Sequence, residues 1–145
     1  MRYLFKKICI ASDHAGFRLK DSIKNFLIKK NISIIDLGPI NEKSVDYPDF
    51  AKKVSNRIKS KKSDVGILVC GSGTGMAISA NKTKKIRAAV CYNSKSTILS
   101  RQHNNANIIA IGSRLTKKTV ALKLVSLFLG TKFEGGRHLR RVKKI

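Results

Sequence analysis

Short, almost continuously apolar runs alternate along the chain with segments in which apolar residues recur every three or four positions. The first pattern is typical of strands that a parallel sheet buries on both faces, and the second of helices with one buried face. The predicted strands are residues 7–12, 32–37, 65–70, 88–91 and 108–111. Residues 94–101 are the fourth predicted helix. The other four helices are predicted from apolar residues at helical spacing, which are Leu19, Ile23, Phe26 and Leu27 in the first, Phe50, Val54 and Ile58 in the second, Met76, Ala77, Ile78 and Ala80 in the third, and Val120, Leu124, Leu127 and Phe128 in the last.

Strand and helix alternate five times, which predicts parallel strands joined by right-handed crossovers, with helices on both faces. The expected fold class is therefore α/β, a three-layer α/β/α Rossmann-like fold with a five-stranded parallel sheet. Neither a repeat of fixed period nor a low-complexity linker interrupts residues 1–145, so we expect a single domain. Gly130 is the predicted end of the last helix. The polar and basic residues 131–145 are predicted to form a C-terminal tail.

The composition is that of a globular protein. Hydrophobic residues make up 42% of the 145 and charged residues 27%, which excludes a disordered chain. No apolar stretch is long enough to span a bilayer, and the run near the N-terminus is too short for a signal peptide. Three cysteines in a chain without a secretion signal indicate reduced thiols and a cytoplasmic location. They also lack the close spacing of a structural zinc site.

The charge is unusual, because 31 Lys and Arg oppose 8 Asp and Glu for a formal net charge of +23. Such an excess attracts nucleic acid. The lysines, however, lie singly or in pairs along the whole chain, and only residues 137–144 are densely basic. A nucleic-acid reader more often concentrates arginine and aromatic residues on one element. A solvated, lysine-rich surface is the favoured interpretation, and nucleic-acid binding is kept as an alternative.

A glycine-rich loop, residues 71–75 (Gly-Ser-Gly-Thr-Gly), follows the most hydrophobic strand. Glycines at a helix start let backbone N–H groups point at an anion. A dinucleotide site would need a glycine at Met76 and an acidic residue about 20 positions further on, yet no Asp or Glu lies between Asp64 and Glu134. The loop also lacks the Gly-Lys-Ser/Thr ending of a nucleotide P-loop. NAD and ATP are therefore not expected, and a plain tight turn stays open.

Polar residues at the carboxyl ends of the predicted strands are the candidates for a site, because ligands of open parallel sheets bind there. Asp13 and His14 follow the first strand, and Arg114 follows the fifth. We also count the stretch around His103, after the fourth helix, among the candidate site residues. Cys70 ends the third strand just before a helix N-terminus, a position that favours a thiolate. Position alone leaves open whether Cys70 is reactive or only a small buried hydrophobe, and whether His103 is catalytic or structural.

Two arginines in the tail, Arg137 and Arg141, are four residues apart, so one helical turn would point both the same way. Such a pair suits a phosphate, which Arg binds bidentately, although a solvated basic tail stays open. The histidines His14, His103 and His138 show no HxxxH or HxH spacing. We therefore expect no metal site.

Six motifs, in order and over essentially the whole chain, resemble those of the type B ribose-5-phosphate isomerases. The superfamily also includes galactose-6-phosphate and allose-6-phosphate isomerases. The motifs are Ser12-Asp13-His14-Ala15-Gly16, Asp46-Tyr47-Pro48, Cys70-Gly71-Ser72-Gly73, Ser100-Arg101-Gln102-His103-Asn104, Gly112-Ser113-Arg114 and Glu134-Gly135-Gly136-Arg137-His138.

The resemblance implies a cofactor-free aldose–ketose isomerase of the pentose phosphate pathway that acts on D-ribose 5-phosphate and D-ribulose 5-phosphate. In that family the sugar ring opens, a base removes the C2 proton, and a cis-enediolate is reprotonated at C1. Cys70 matches the base, and His103 matches the residue that assists ring opening. Part of the family uses a Glu just beyond the glycine loop instead, where this chain has Met76, which leaves Cys70 as the base candidate.

The resemblance also implies a substrate-binding set and a partner. The matching positions are Asp13, His14, Tyr47, Gly71, Ser72, Gly73, Thr74, Gly75, Asn104, Arg114, Arg137 and Arg141. The family forms homodimers whose sites draw on both subunits, so we expect a homodimer, or a dimer of such dimers, with the tail or the His103 segment reaching toward the partner. No cofactor, metal, membrane or specific nucleic acid is expected. A hexose 6-phosphate (allose or galactose) isomerase is the alternative, with a basic nucleic-acid-binding module as the remote one.

Overall fold

The computed structural model describes residues 1–145 and has the predicted order of strands and helices, with one additional helix in the tail. The strands are β1 (Ile8–Ser12), β2 (Ile34–Asp36), β3 (Val65–Cys70), β4 (Ala88–Val90) and β5 (Ile108–Gly112). The helices are α1 (Phe17–Lys29), α2 (Tyr47–Lys59), α3 (Thr74–Asn81), α4 (Ser94–Gln102), α5 (Lys118–Gly130) and α6 (Arg137–Val142).

The sheet has five strands, all parallel, in the order β2-β1-β3-β5-β4. The predicted α/β class is therefore confirmed. β1 leads to β2 on one side, whereas β3 pairs with β1 on the other side, so the direction of winding changes between β1 and β3. Open α/β sheets bind their ligands at such a switch point, outside the carboxyl ends of the strands.

Each face of the sheet carries its own apolar core, because successive strand residues point to opposite faces. Ile8 and Ile10 of β1 pack on one face with α1 and α5. Cys9 and Ala11 pack on the other face with α2 and α3. Every residue of β3 is buried, so the strand that ends in Cys70 lies at the centre of the three layers. None of the helices is both long and apolar enough to cross a membrane.

A buried ion pair fixes the loop after β2 against the end of β1. The Lys20 side chain is 1% exposed, and its Nζ donates to Asp36 Oδ1 at 2.8 Å and to the Pro39 carbonyl at 2.7 Å. Burial by itself would raise the pKa of Asp36, but hydrogen bonds from Lys20 and from the Gly38 N–H outweigh it and lower the pKa. The Gly38 carbonyl accepts the Ser12 N–H at 3.1 Å, which connects this loop to the strand end that precedes Asp13.

Candidate active site

Cys70 lies at the carboxyl end of the central strand and is 4% exposed. Its Sγ accepts the N–H of Gly73 at 3.1 Å. Gly73 is the residue before α3 and has φ +80°, a backbone conformation that favours glycine. The sulfur therefore lies at the N-terminus of α3, in contact with the glycine loop.

The loop after Cys70 presents backbone donors that have no partner within the chain. The Gly73 N–H is bonded to Cys70 and the Thr74 N–H to the Ser72 hydroxyl. The N–H groups of Gly71, Ser72 and Gly75 donate to no other group of the protein. Free backbone N–H groups of this kind can stabilise an anionic intermediate.

Two side chains flank this loop. The Arg114 guanidinium lies over Gly71, where a Cβ would approach Nη1 to 3.0 Å, and the Tyr47 ring lies over Gly75, where a Cβ would approach Cζ to 2.8 Å. Side chains at either glycine would therefore collide with these two residues. The Arg114 N–H donates to the Gly71 carbonyl at 3.0 Å, so the loops after β3 and β5 are joined.

Asp13 and His14 lie at the end of β1, on the same edge of the sheet as Cys70. The Asp13 carboxylate accepts the Gly16 N–H at 2.9 Å, and the backbone N–H of Asp13 donates to the Val69 carbonyl at 3.1 Å. His14 Nδ1 accepts the Val45 N–H at 3.2 Å, which leaves Nε2 free to contact a ligand. The structure thus brings together Asp13, His14, Tyr47, Cys70, the loop 71–75 and Arg114.

His103 and Asn104 are not part of that group. The prediction that they lie at the carboxyl edge of the sheet is wrong within a single chain. α4 runs back across the sheet, so its C-terminal end lies where β5 begins. The Asn107 carbonyl there accepts the N–H of Gly66 near the start of β3, while Cys70 is at the other end of that strand. The six-residue strand puts the two edges roughly 15–20 Å apart.

The tail lies at the same amino edge and includes a short helix that the sequence analysis did not assign. The Glu134 N–H donates to the Gln102 carbonyl at 3.1 Å, and α6 begins at Arg137 after two glycines with positive φ, +67° and +52°. Arg137 and Arg141 lie one turn apart on α6, and both are exposed. The predicted helical turn is thus present, next to His103.

Arg101 connects the end of α4 to the start of the tail at the amino edge of the sheet. Its guanidinium donates to Asn105 Oδ1 at 3.0 Å, to the Ala106 carbonyl and, at 3.3 Å, to the carbonyl of Thr131, where the tail begins. The residue is 4% exposed and has no carboxylate partner. Burial, followed by the charge of Arg87, lowers the pKa of Arg101 to about 10.

Glu134 and His138 lie against His103, a cluster that local spacing could not reveal because His103 is distant in sequence from the other two. The ligand atoms of His103, Glu134 and His138 lie within 4.8 Å of one another, a set that could in composition hold a divalent metal. The imidazole rings are parallel, however, with an interplanar angle of 10°. Their lone pairs therefore run side by side rather than toward one point, so we assign no metal to them.

The family model described as Ribose/Galactose Isomerase matches residues 8–145. The chain belongs to the ribose/galactose isomerase family. Within the family, ribose-5-phosphate isomerase B of Escherichia coli is 43% identical over 140 residues, covering 97% of this chain and 94% of the relative. The family resemblance carried by the six motifs is thereby confirmed.

Solved structures of the family agree with the fold. The ribose 5-phosphate isomerase of Thermotoga maritima is 51% identical with a TM-score of 0.94, and 95% of each chain is covered. Ribose-5-phosphate isomerase B of Mycoplasma genitalium, solved with bound ribulose 5-phosphate, is 44% identical with a TM-score of 0.90, covering 94% of this chain and 91% of that one.

Proposed function

We propose that this chain is an aldose–ketose isomerase that interconverts D-ribose 5-phosphate and D-ribulose 5-phosphate, a reaction of the pentose phosphate pathway. The observation that carries the proposal is the Cys70 thiol at the end of β3, beside three unpaired backbone N–H groups. This arrangement supplies a base and a stabiliser of negative charge. The similarity to ribose-5-phosphate isomerase B of Escherichia coli and the likeness to a structure that holds ribulose 5-phosphate favour this pentose over a hexose.

Cys70 is the base in this mechanism. In the opened aldose, the thiolate takes the proton from C2, and the C–H electron pair becomes the C1–C2 double bond. The carbonyl π electrons move onto O1, which gives the enediolate. After a proton shifts from O2 to O1, the thiol returns its proton to C1 and the ketose forms. Atoms and electrons balance without an oxidant or reductant.

The free N–H groups of Gly71, Ser72 and Gly75 stabilise the enediolate oxygens. They are part of the backbone and already oriented, so they need no reorganisation as charge develops. Removing one such donor typically costs on the order of 10²–10³ in rate.

Ring opening by His103 and phosphate binding by Arg137 and Arg141 require a second copy of the chain. These groups lie at the opposite edge of the sheet from Cys70, so one protomer cannot place them on a five-carbon sugar. In the homodimer we propose, the amino edge of one protomer faces the carboxyl edge of its partner. Apolar surface for such contact exists on and near α3, where Ile78 and Tyr92 are 59% and 66% exposed.

We also place the protein in the cytoplasm. The proposal is supported by its three cysteines, which are all buried and unpaired, as expected in a reducing compartment.

The function is tested with Cys70→Ala, assayed with ribose 5-phosphate and, in parallel, with allose and galactose 6-phosphates. The wild type should convert the pentose most efficiently, and C70A should lose that activity while keeping the circular dichroism of the fold. Cys91→Ala is the matched control, because this cysteine is equally buried and lies outside the site. Normal turnover by C70A would remove the base assignment, and a preference for a hexose phosphate would overturn the substrate.

A further inference from the structure

The His103 imidazole has an unusual support. The backbone N–H of His103 donates to the Leu99 carbonyl at 2.9 Å, but its side chain, 38% exposed, forms no hydrogen bond within the chain. Instead the ring of His138 stacks on it, with centroids 4.2 Å apart and planes within 10°. His138 is itself largely buried, with 10% of its side chain exposed. A buried ring therefore fixes the plane of a more exposed one.

Glu134 is the third member of this cluster. Its Oε2 lies 4.0 Å from His103 Nε2 and 3.6 Å from His138 Nε2, and its backbone is tied to Gln102. It is the only carboxylate residue between Asp64 and the C-terminus of a chain that carries a net charge of +23. The single negative side chain of that half of the protein thus lies beside two imidazoles.

The surroundings of His138 disfavour its charged form. Burial lowers the pKa of His138, and the charges of His103 and Arg137, and more weakly Arg141, lower it further, against the opposing effect of Glu134. Two charged imidazoles stacked at 4.2 Å would repel each other. A proton on His138 is therefore disfavoured.

We propose that Glu134 and His138 are positioning residues for His103: the carboxylate places a negative charge 4.0 Å from its Nε2, and the stacked ring fixes its plane for the opening of the sugar ring. The proposal rests on the proposed function. Opening a furanose requires a proton at the ring oxygen and removal of a proton from the hydroxyl at C1, so the group that exchanges protons must be both correctly charged and correctly oriented.

Glu134→Gln tests the carboxylate, because it keeps the size of the side chain and removes its charge. We expect kcat for ribose 5-phosphate to fall roughly tenfold, a part of the 10²–10⁴ that acid–base catalysis contributes. Glu42→Gln is the matched control: Glu42 and Glu134 side chains are both 49% exposed, and Glu42 pairs with Arg18 away from the cluster, so kcat should not change.

The isotope effect on kcat with ribose 5-phosphate deuterated at C2 identifies the slowed step. If ring opening limits E134Q, breaking the C2–H bond no longer limits turnover, and the isotope effect should lie close to unity. Unchanged kcat in E134Q, or a slow variant with a large primary isotope effect, would overturn the proposal. A wild type without isomerase activity would instead contradict the proposed function.

A second pair of variants tests the stacked ring. His138→Phe keeps a flat ring against His103, whereas His138→Ala removes it. H138F should therefore retain several-fold more kcat than H138A, at equal secondary structure by circular dichroism. Equal kcat values in the two variants would contradict a positioning role for the ring.

Discussion

Mixing two inactive variants tests whether one active site is built from two protomers. Cys70→Ala removes the proposed base at the carboxyl edge, and His103→Asn removes the proposed ring-opening group at the amino edge. Since the length of β3 keeps these edges roughly 15–20 Å apart, neither group can serve the other within one chain. A dimer that contains one chain of each kind has one site with both groups intact and one site with neither.

The expected recovery follows from this count. Random pairing of equal amounts makes about half of the dimers mixed, each with one working site of two, so the mixture should regain about a quarter of the wild-type activity. Co-expression with two different affinity tags allows the mixed dimer to be purified. That species should have about half of the wild-type kcat per dimer.

The control is the same experiment with C70A in both tagged chains, which should stay inactive. If purified mixed dimers show no more activity than either parent, Cys70 and His103 do not meet across an interface. The shared site would then be wrong, even if the isomerase activity itself is confirmed.

Four further outcomes follow from the structure. Arg137→Ala should raise KM for ribose 5-phosphate about ten- to hundredfold, because it removes one charged hydrogen bond to the phosphate. Arg140→Ala, on the same helix, should leave KM unchanged. Initial-rate kinetics of the two variants measure this difference. Asp36→Asn leaves Lys20 buried without a counter-charge and should destabilise the fold by about 3 kcal/mol in urea titrations at neutral pH. Because the pKa of Asp36 is lowered in the folded state, this difference is present at neutral pH and should shrink as the pH falls below about 4; a constant difference would contradict the ion pair. Gly66→Ala places a methyl group against α2 and should lower the free energy of unfolding by about 1–3 kcal/mol. Turnover should be equal with and without EDTA, since no step of the proposed mechanism uses a metal, and loss of activity on chelation would contradict it.

The sequence revealed one half of the candidate site more completely than the other. Asp13, Cys70 and Arg114 lie at or just after the carboxyl ends of strands, so their shared edge could be predicted from the parallel direction of the strands. His103 follows a helix, and the same rule placed it at the wrong edge, since a helix between parallel strands ends at the opposite side of the sheet. Glu134 and His138 were part of a recognised motif, but nothing in their spacing indicated that they lie against His103.

The alternation of apolar runs and periodic segments determined by itself that the chain forms a parallel sheet covered by helices, because buried strands and half-buried helices require different hydrophobic periods. It also determined the glycine loop after Cys70, since glycines at a strand end permit the backbone angles of that turn. Only the tertiary structure decided the strand order, the contact of the tail with α4, and the separation of the proposed catalytic groups onto two edges. These depend on contacts between residues far apart in sequence, which no local pattern encodes.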